Sequence, residues 1–214
     1  MLGIKIDSKT PLSVLCLGAH CDDIEIGAGG TLLKLIREYA ISSVDWIVFA
    51  SNEKRKAEAE RSADRFLEPV VNKRIVIRSW RDGFLPFSAW DVKDYFELLK
   101  TDIAPDLIFT HYRDDRHQDH RIISELTWNT WRNHFILEYE IPKYDGDLGA
   151  PSFFVPLESE YIDRRNQIIL DEYVSQRGKH WFDDETFRSI NRLRGMESAS
   201  LYAEAFYSRK ICLK

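Results

Sequence analysis

The chain has 214 residues and a formal net charge of −5, with 44% hydrophobic and 30% charged residues. That length suits one domain, the composition excludes a disordered or fibrous chain, and mild acidity argues against nucleic acid, whose phosphates call for a basic surface. No apolar run approaches the roughly 20 residues of a bilayer span, residues 1–12 do not read as a signal peptide, and Cys16, Cys21 and Cys212 are too few and odd in number for a disulfide framework, so a reducing, cytoplasmic setting is expected.

Residues 13–18 are a short apolar run of strand length, and 27–40 read as a helix with Leu32, Leu33, Leu35 and Ile36 on a broad buried face. Residues 44–50 are again strand-like, and 53–67, rich in Ala, Glu, Arg and Lys, read as an exposed helix. A third strand over 74–78, a helix over 90–103 and a fourth strand over 106–110 follow. This alternation predicts an α/β fold: one domain over residues 1–214, with a Rossmann-like, mostly parallel sheet flanked by helices. The later part is less regular. Residues 140–156 read as a loop with a short strand at 152–155, and 159–175 and 185–206 as helices. A loop of that length is often functional.

In parallel sheets of this kind, ligands bind beyond the carboxyl ends of the strands. Two polar clusters stand there. His20, Asp22 and Asp23 follow the first strand, with Cys21 between them. Zinc takes His nitrogen and carboxylate oxygen, and catalytic sites use about three protein ligands. Of two adjacent carboxylates, one can bind metal while its neighbour takes a proton from water. The second cluster is His117, Gln118, Asp119 and His120, just after the fourth strand. At the start of a helix, His117 and His120 would share a face, one for metal and one for substrate. With His111, these clusters hold four of the six histidines, which a surface scatter would not produce.

Each cluster alone has a plainer explanation. The first could be a helix N-cap, and the second a solvated loop behind Arg113, Asp114, Asp115 and Arg116. Their joint placement after two strands of one sheet favours a shared metal. Gly27, Gly29 and Gly30 match neither phosphate-loop spacing, so close packing of a helix on the sheet explains them better. Cys21 as a nucleophile would need an activating base, and His20 is better used on metal.

These residues resemble the PIG-L/LmbE family of zinc-dependent N-deacetylases. The family's strand followed by Ala-His-Pro-Asp-Asp-Glu stands here as Ala19, His20, Cys21, Asp22, Asp23, Ile24 and Glu25, with Cys21 in place of Pro and Ile24 inserted before the glutamate. Its His-x-Asp-His stands as His117 to His120. Weaker matches are Asp82, Gly83 and Leu85, the pair Arg55 and Glu58, and Tyr202 to Phe206, so the likeness spans roughly 13–206. The resemblance implies His20, Asp23 and His120 as ligands of zinc or another divalent ion. It also implies Asp22 as general base, and His117 as the group that steadies an oxyanion or protonates a leaving amine, oriented by Asp119. The implied activity is removal of an N-acetyl group from an amino sugar that is free or linked to a nucleotide, lipid or glycan.

In the mechanism so implied, a protonated His117 helps hold the oxyanion. Arg55, Arg81 and Asp82 are the candidate substrate contacts, because sugar hydroxyls and phosphates need such groups. Trp80, Tyr112 and Tyr144 are candidate sugar-facing aromatics. Hydrolysis of another bond, such as a phosphoester, or a non-catalytic metal-binding role are the competing expectations. The sequence leaves homo-oligomerisation open.

Overall fold

The computed structural model describes residues 3–5, 7 and 10–212. The expectation for residues 1–12 and the outer bounds of the expected 1–214 domain fall partly outside them. The chain runs β1 (Leu12–His20), α1 (Asp23–Glu38), β2 (Ile41–Ala50), α2 (Glu53–Phe66), β3 (Lys73–Trp80), α3 (Ala89–Asp102), β4 (Leu107–His111) and α4 (Gln118–Thr130). It continues through β5 (Phe135–Tyr139), β6 (Phe153–Leu157), α5 (Ser159–Glu172), α6 (Asp184–Glu197) and β7 (Tyr202–Tyr207).

The seven strands form one sheet in the order β3-β2-β1-β4-β5-β7-β6. The first five are parallel, and β7 lies antiparallel between β5 and β6. The fold is thus α/β with a mostly parallel sheet, as the strand and helix alternation predicts. β1 is apolar because both of its faces are covered. Its alternate residues divide between two cores: Val14 and Cys16 join Trp46, Phe66 and Phe109 on one face, and Leu15 and Leu17 join Phe49, Phe96 and Ile123 on the other. Strand order reverses at β1 and β4, so the crevice beyond their carboxyl ends is the topological switch point.

Three elements differ from expectation. α1 begins at Asp23 rather than Gly27, because β1 passes into it through only Cys21 and Asp22. β5, five residues long, has no counterpart among the expected strands. The helix expected over 185–206 stops at Glu197, and Tyr202–Tyr207 is a strand. Ala199 takes a left-handed φ of 58°, Ser200 N–H bonds to Gly195 O at 2.8 Å and Ala199 N–H to Met196 O at 3.4 Å. This is a Schellman stop with alanine where glycine is usual.

The glycines of α1 serve close packing. A Cβ on Gly27 would overlap the Tyr139 ring of β5, standing 2.6 Å from its Cγ. Glu204 of β7 accepts N–H bonds from Gly30 at 2.8 Å and Thr31 at 2.6 Å, and pairs with buried Arg165 at 3.0 Å. α1 is therefore tied to β7, three strands away from β1 in the sheet. Among the described residues, no helix is long and apolar enough to cross a membrane.

Candidate metal centre

The amino ends of α1 and α4 converge at the switch point, bringing the two clusters together. His20 Nδ1 lies 3.2 Å from His120 Nε2, His20 Nδ1 3.4 Å from Asp23 Oδ2, and His120 Nε2 3.6 Å from the same Oδ2. Tetrahedral zinc with bonds of about 2.0–2.1 Å requires donor edges of roughly 3.3–3.4 Å. The three atoms form a triangle of that size, so this donor set fits a small divalent ion.

The atoms behind the triangle match the same purpose. His20 Nε2 lies 3.1 Å from Asp119 Oδ2 and 3.1 Å from Asp82 Oδ1. His120 Nδ1 lies 2.9 Å from Asp115 Oδ2. Each imidazole thus turns its second nitrogen to a carboxylate, the arrangement that fixes the tautomer of a metal-binding histidine. Asp119 is itself held by N–H bonds from Gly83 at 2.7 Å and Leu85 at 3.1 Å. That accounts for the Asp-Gly-x-Leu stretch, whose Gly83 has a φ of 78°. The Asp119 carboxylate is expected from sequence to orient His117. It reaches His20 instead, and Asp119 meets His117 only through its backbone N–H, 3.2 Å from His117 Nδ1.

Charge in the pocket favours a cation. Burial opposes a proton on His20, yet Asp119, Asp23 and Asp82 lift its pKa well above the ordinary value. Burial likewise opposes charge on Asp23, but His120 and His111 hold it well below the carboxylate range. His120 is lowered, first by burial and then by His111. An ionised Asp23 and a neutral His120 are the forms in which these groups bind a metal, whereas on His20 a metal would have to replace a proton.

Asp22 stands at the N-cap position of α1 with φ 93°, and its side chain makes no capping bond. The plain N-cap reading therefore fails. Its Oδ2 is buried and accepts no aligned hydrogen bond, although Arg55 Nη2 approaches to 2.9 Å. Burial raises Asp22 to about 6, against the pull of Arg55. A carboxylate in that range is suited to accept a proton near neutrality.

His117 caps α4, accepting the Asp119 N–H at Nδ1. A neutral ring then carries its proton on Nε2. Burial, His120 and His20 lower its pKa, so a neutral donor fits better than the protonated His117 expected from sequence.

Of the proposed substrate contacts, Asp82 reaches the centre with its side chain 69% exposed. Arg55 is committed to Asp22 and to the Cys21 carbonyl. Arg81 is exposed, with its guanidinium 3.6 Å above the Phe84 ring. Trp80 stacks on Phe49 in the core and Tyr112 on Tyr207, whereas Tyr144 is exposed. Cys21 is buried and burial pushes its thiol up, which removes it as a nucleophile.

Three residues join the site that sequence reasoning did not assign to it. Asp115 is one. His111, fully buried, has Nε2 3.2 Å from Asp23 Oδ2, but that nitrogen takes the Ala19 N–H at 2.8 Å, so it packs beside the triangle. Lys143 pairs with Asp115 Oδ2 at 2.8 Å. The acidic pair just ahead of the second cluster is a signal that could have pointed to Asp115. Lys143, in an aperiodic loop, carries no such signal.

A profile of the PIG-L family, described as GlcNAc-PI de-N-acetylase, matches residues 15–131 and so spans both clusters. Among solved structures, the conserved protein TT1542 from Thermus thermophilus superposes with a TM-score of 0.75 at 22% identity, over 95% of this chain and 97% of that one. The N,N'-diacetylchitobiose deacetylase from Pyrococcus horikoshii gives 0.73 at 22% identity, over 92% and 83%. The 4-carboxy-2-hydroxymuconate hydratase from Pseudomonas putida gives 0.71 at 14% identity, over 95% and 98%. At these identities the likeness is one of fold.

Proposed function

The chain belongs to the PIG-L family, whose profile spans more than half of it, and on that premise we propose that it is a zinc-dependent hydrolase removing an N-acetyl group from an amino sugar. Because a hydratase shares the architecture, the reading rests on the site rather than the fold. The observation that carries it is the donor triangle of His20 Nδ1, Asp23 Oδ2 and His120 Nε2, with the buried carboxylate of Asp22, paired with Arg55, beside it.

His20, Asp23 and His120 would hold the ion, which when bound would supply Lewis acidity toward an amide carbonyl and toward water near neutral pH. Asp22 accepts the proton of the attacking water and, once protonated, passes it to the departing nitrogen. Acetic acid and a free amine result, and the acid gives up its remaining proton at neutral pH. His117 donates its Nε2–H to the oxygen on which charge develops, a preorganised contact of the kind that contributes most to such reactions. The amino ends of α1 and α4 add their partial positive charge there. Asp119 and Asp115 hold His20 and His120 in the tautomers that face the ion. Arg55 keeps Asp22 in place, and Asp82 is the polar group at the mouth best placed for a sugar hydroxyl.

The three cysteines are unpaired, which agrees with the cytoplasmic location that forms part of this reading. The deciding experiment is acetate release from a panel of N-acetyl sugars and their conjugates, with and without chelator. Release that depends on metal is expected for at least one amino sugar. A panel hydrolysed at no position would set the reading aside.

A further inference from the structure

Asp115 supports both histidines of the second cluster. Its Oδ1 accepts the backbone N–H of His117 at 2.7 Å, and its Oδ2 lies 2.9 Å from His120 Nδ1. It is only 2% exposed, and a carboxylate so buried needs a cation to offset the lost water. The 140–152 loop provides one. Lys143 Nζ stands 2.8 Å from the same Oδ2 that holds His120.

The Lys143 ammonium is committed in all three directions available to it. Besides Asp115 it bonds Asp147 Oδ1 at 2.7 Å and the Ile141 carbonyl at 3.4 Å. Asp147 in turn accepts the Arg116 N–H at 2.7 Å. The loop is fixed at both ends as well. Glu140 pairs with Arg194 at 2.6 and 2.8 Å, and the Gly149 N–H bonds Tyr207 OH at 2.9 Å. A lysine in the middle of a segment tied down this way is a brace, unlike a mobile surface lysine.

We infer that Lys143 is a positioning residue for the metal centre. It holds Asp115 in the one orientation that presents His120 Nε2 to the ion, and it couples the 140–152 loop to a ligand. This rests on the reading of His120 as a ligand given above. Outer partners of metal-binding histidines change metal affinity by about 10–100-fold. Lys143 acts one contact further out, so the lower end of that range applies.

The test is Zn2+ affinity of the metal-stripped, full-length protein, measured by competition with a chromophoric chelator. Wild type, Lys143→Met, Lys143→Arg, Asp115→Asn and the Lys143→Met/Asp115→Asn double variant are compared, with thermal unfolding of each metal-free protein alongside. Lys143→Met should bind Zn2+ about tenfold more weakly, its metal-free Tm should also fall because the buried Asp115 carboxylate loses its cation, and the Lys143→Met/Asp115→Asn variant should recover that Tm. Lys143→Arg should recover part of the loss, and Lys143→Met should add little once Asp115 is already Asn. If Lys143→Met does not fold, Lys143→Gln makes the same comparison. Affinity equal to wild type, or an equal loss in the Asp115→Asn background, overturns the inference. Wild-type acetate release separates the two claims. A protein that binds Zn2+ as described but releases no acetate loses the deacetylase reading and keeps the role of Lys143. One that releases acetate while Lys143→Met binds Zn2+ normally loses only the brace.

Discussion

Arg55 Nη2 stands 2.9 Å from Asp22 Oδ2, reaching from the start of α2 into the two-residue turn between β1 and α1. The same nitrogen donates to the Cys21 carbonyl, and Tyr173 lies beneath the guanidinium at 5.9 Å. A group so occupied should act on turnover more than on substrate affinity. A bond to a charged partner contributes about 1.5–3 kcal/mol, so Arg55→Met is expected to lower kcat by about tenfold or more. KM should stay within about twofold. Steady-state kinetics on an N-acetyl sugar decide this, and a rise in KM at unchanged kcat would return Arg55 to direct substrate contact.

Asp22→Asn removes the proton acceptor without disturbing the donor triangle. General base catalysis is commonly worth about 10²–10⁴-fold, so kcat should fall by that factor. Metal content, read by elemental analysis, should remain at the wild-type level. Undiminished turnover would mean that another group takes the proton.

Chelation should abolish acetate release, and added Zn2+ should restore it. His120→Ala removes one corner of the triangle and is expected to lose bound metal and activity together, with no recovery at equimolar Zn2+. Activity that persists in thoroughly stripped protein would rule out the metal-dependent mechanism.

Gly27→Ala tests the close approach of α1 to β5. The new methyl would overlap the Tyr139 ring, 2.6 Å from Cγ and 3.0 Å from Cβ. Overpacking of this kind costs about 1–3 kcal/mol, readable in urea unfolding. Tyr139 OH also bonds Leu17 O at 2.7 Å and lies 3.2 Å from His111 Nε2, so the strain would reach the wall of the metal centre. Unchanged stability would show that α1 can shift on the sheet.

The central strands are legible in the sequence because a strand covered on both faces is apolar throughout, as Val14 and Cys16 on one face of β1 and Leu15 and Leu17 on the other show. The end of the chain is less so. Tyr202–Tyr207 follows a helix closely, and the reversal at Ala199 relies on a residue with no turn signature. In the candidate site, the two clusters of His and Asp announce themselves by composition. The partners of those clusters do not, because pairs such as Lys143 with Asp115 or Asp119 with His20 exist only once the chain closes on itself. The target of Asp119 illustrates the limit: nearness in sequence points to His117, and the fold delivers its carboxylate to a residue 99 positions away.

The left-handed backbone of Asp22, at φ 93°, has a consequence for how this protein can be improved. A non-glycine residue there holds about 1–3 kcal/mol of conformational energy, a sizeable part of the roughly 5–15 kcal/mol by which domains resist unfolding. Glycine would relax the turn but delete the carboxylate and leave the mostly buried Arg55 guanidinium without its counter-charge. The strained turn and the carboxylate it presents are therefore kept or lost together.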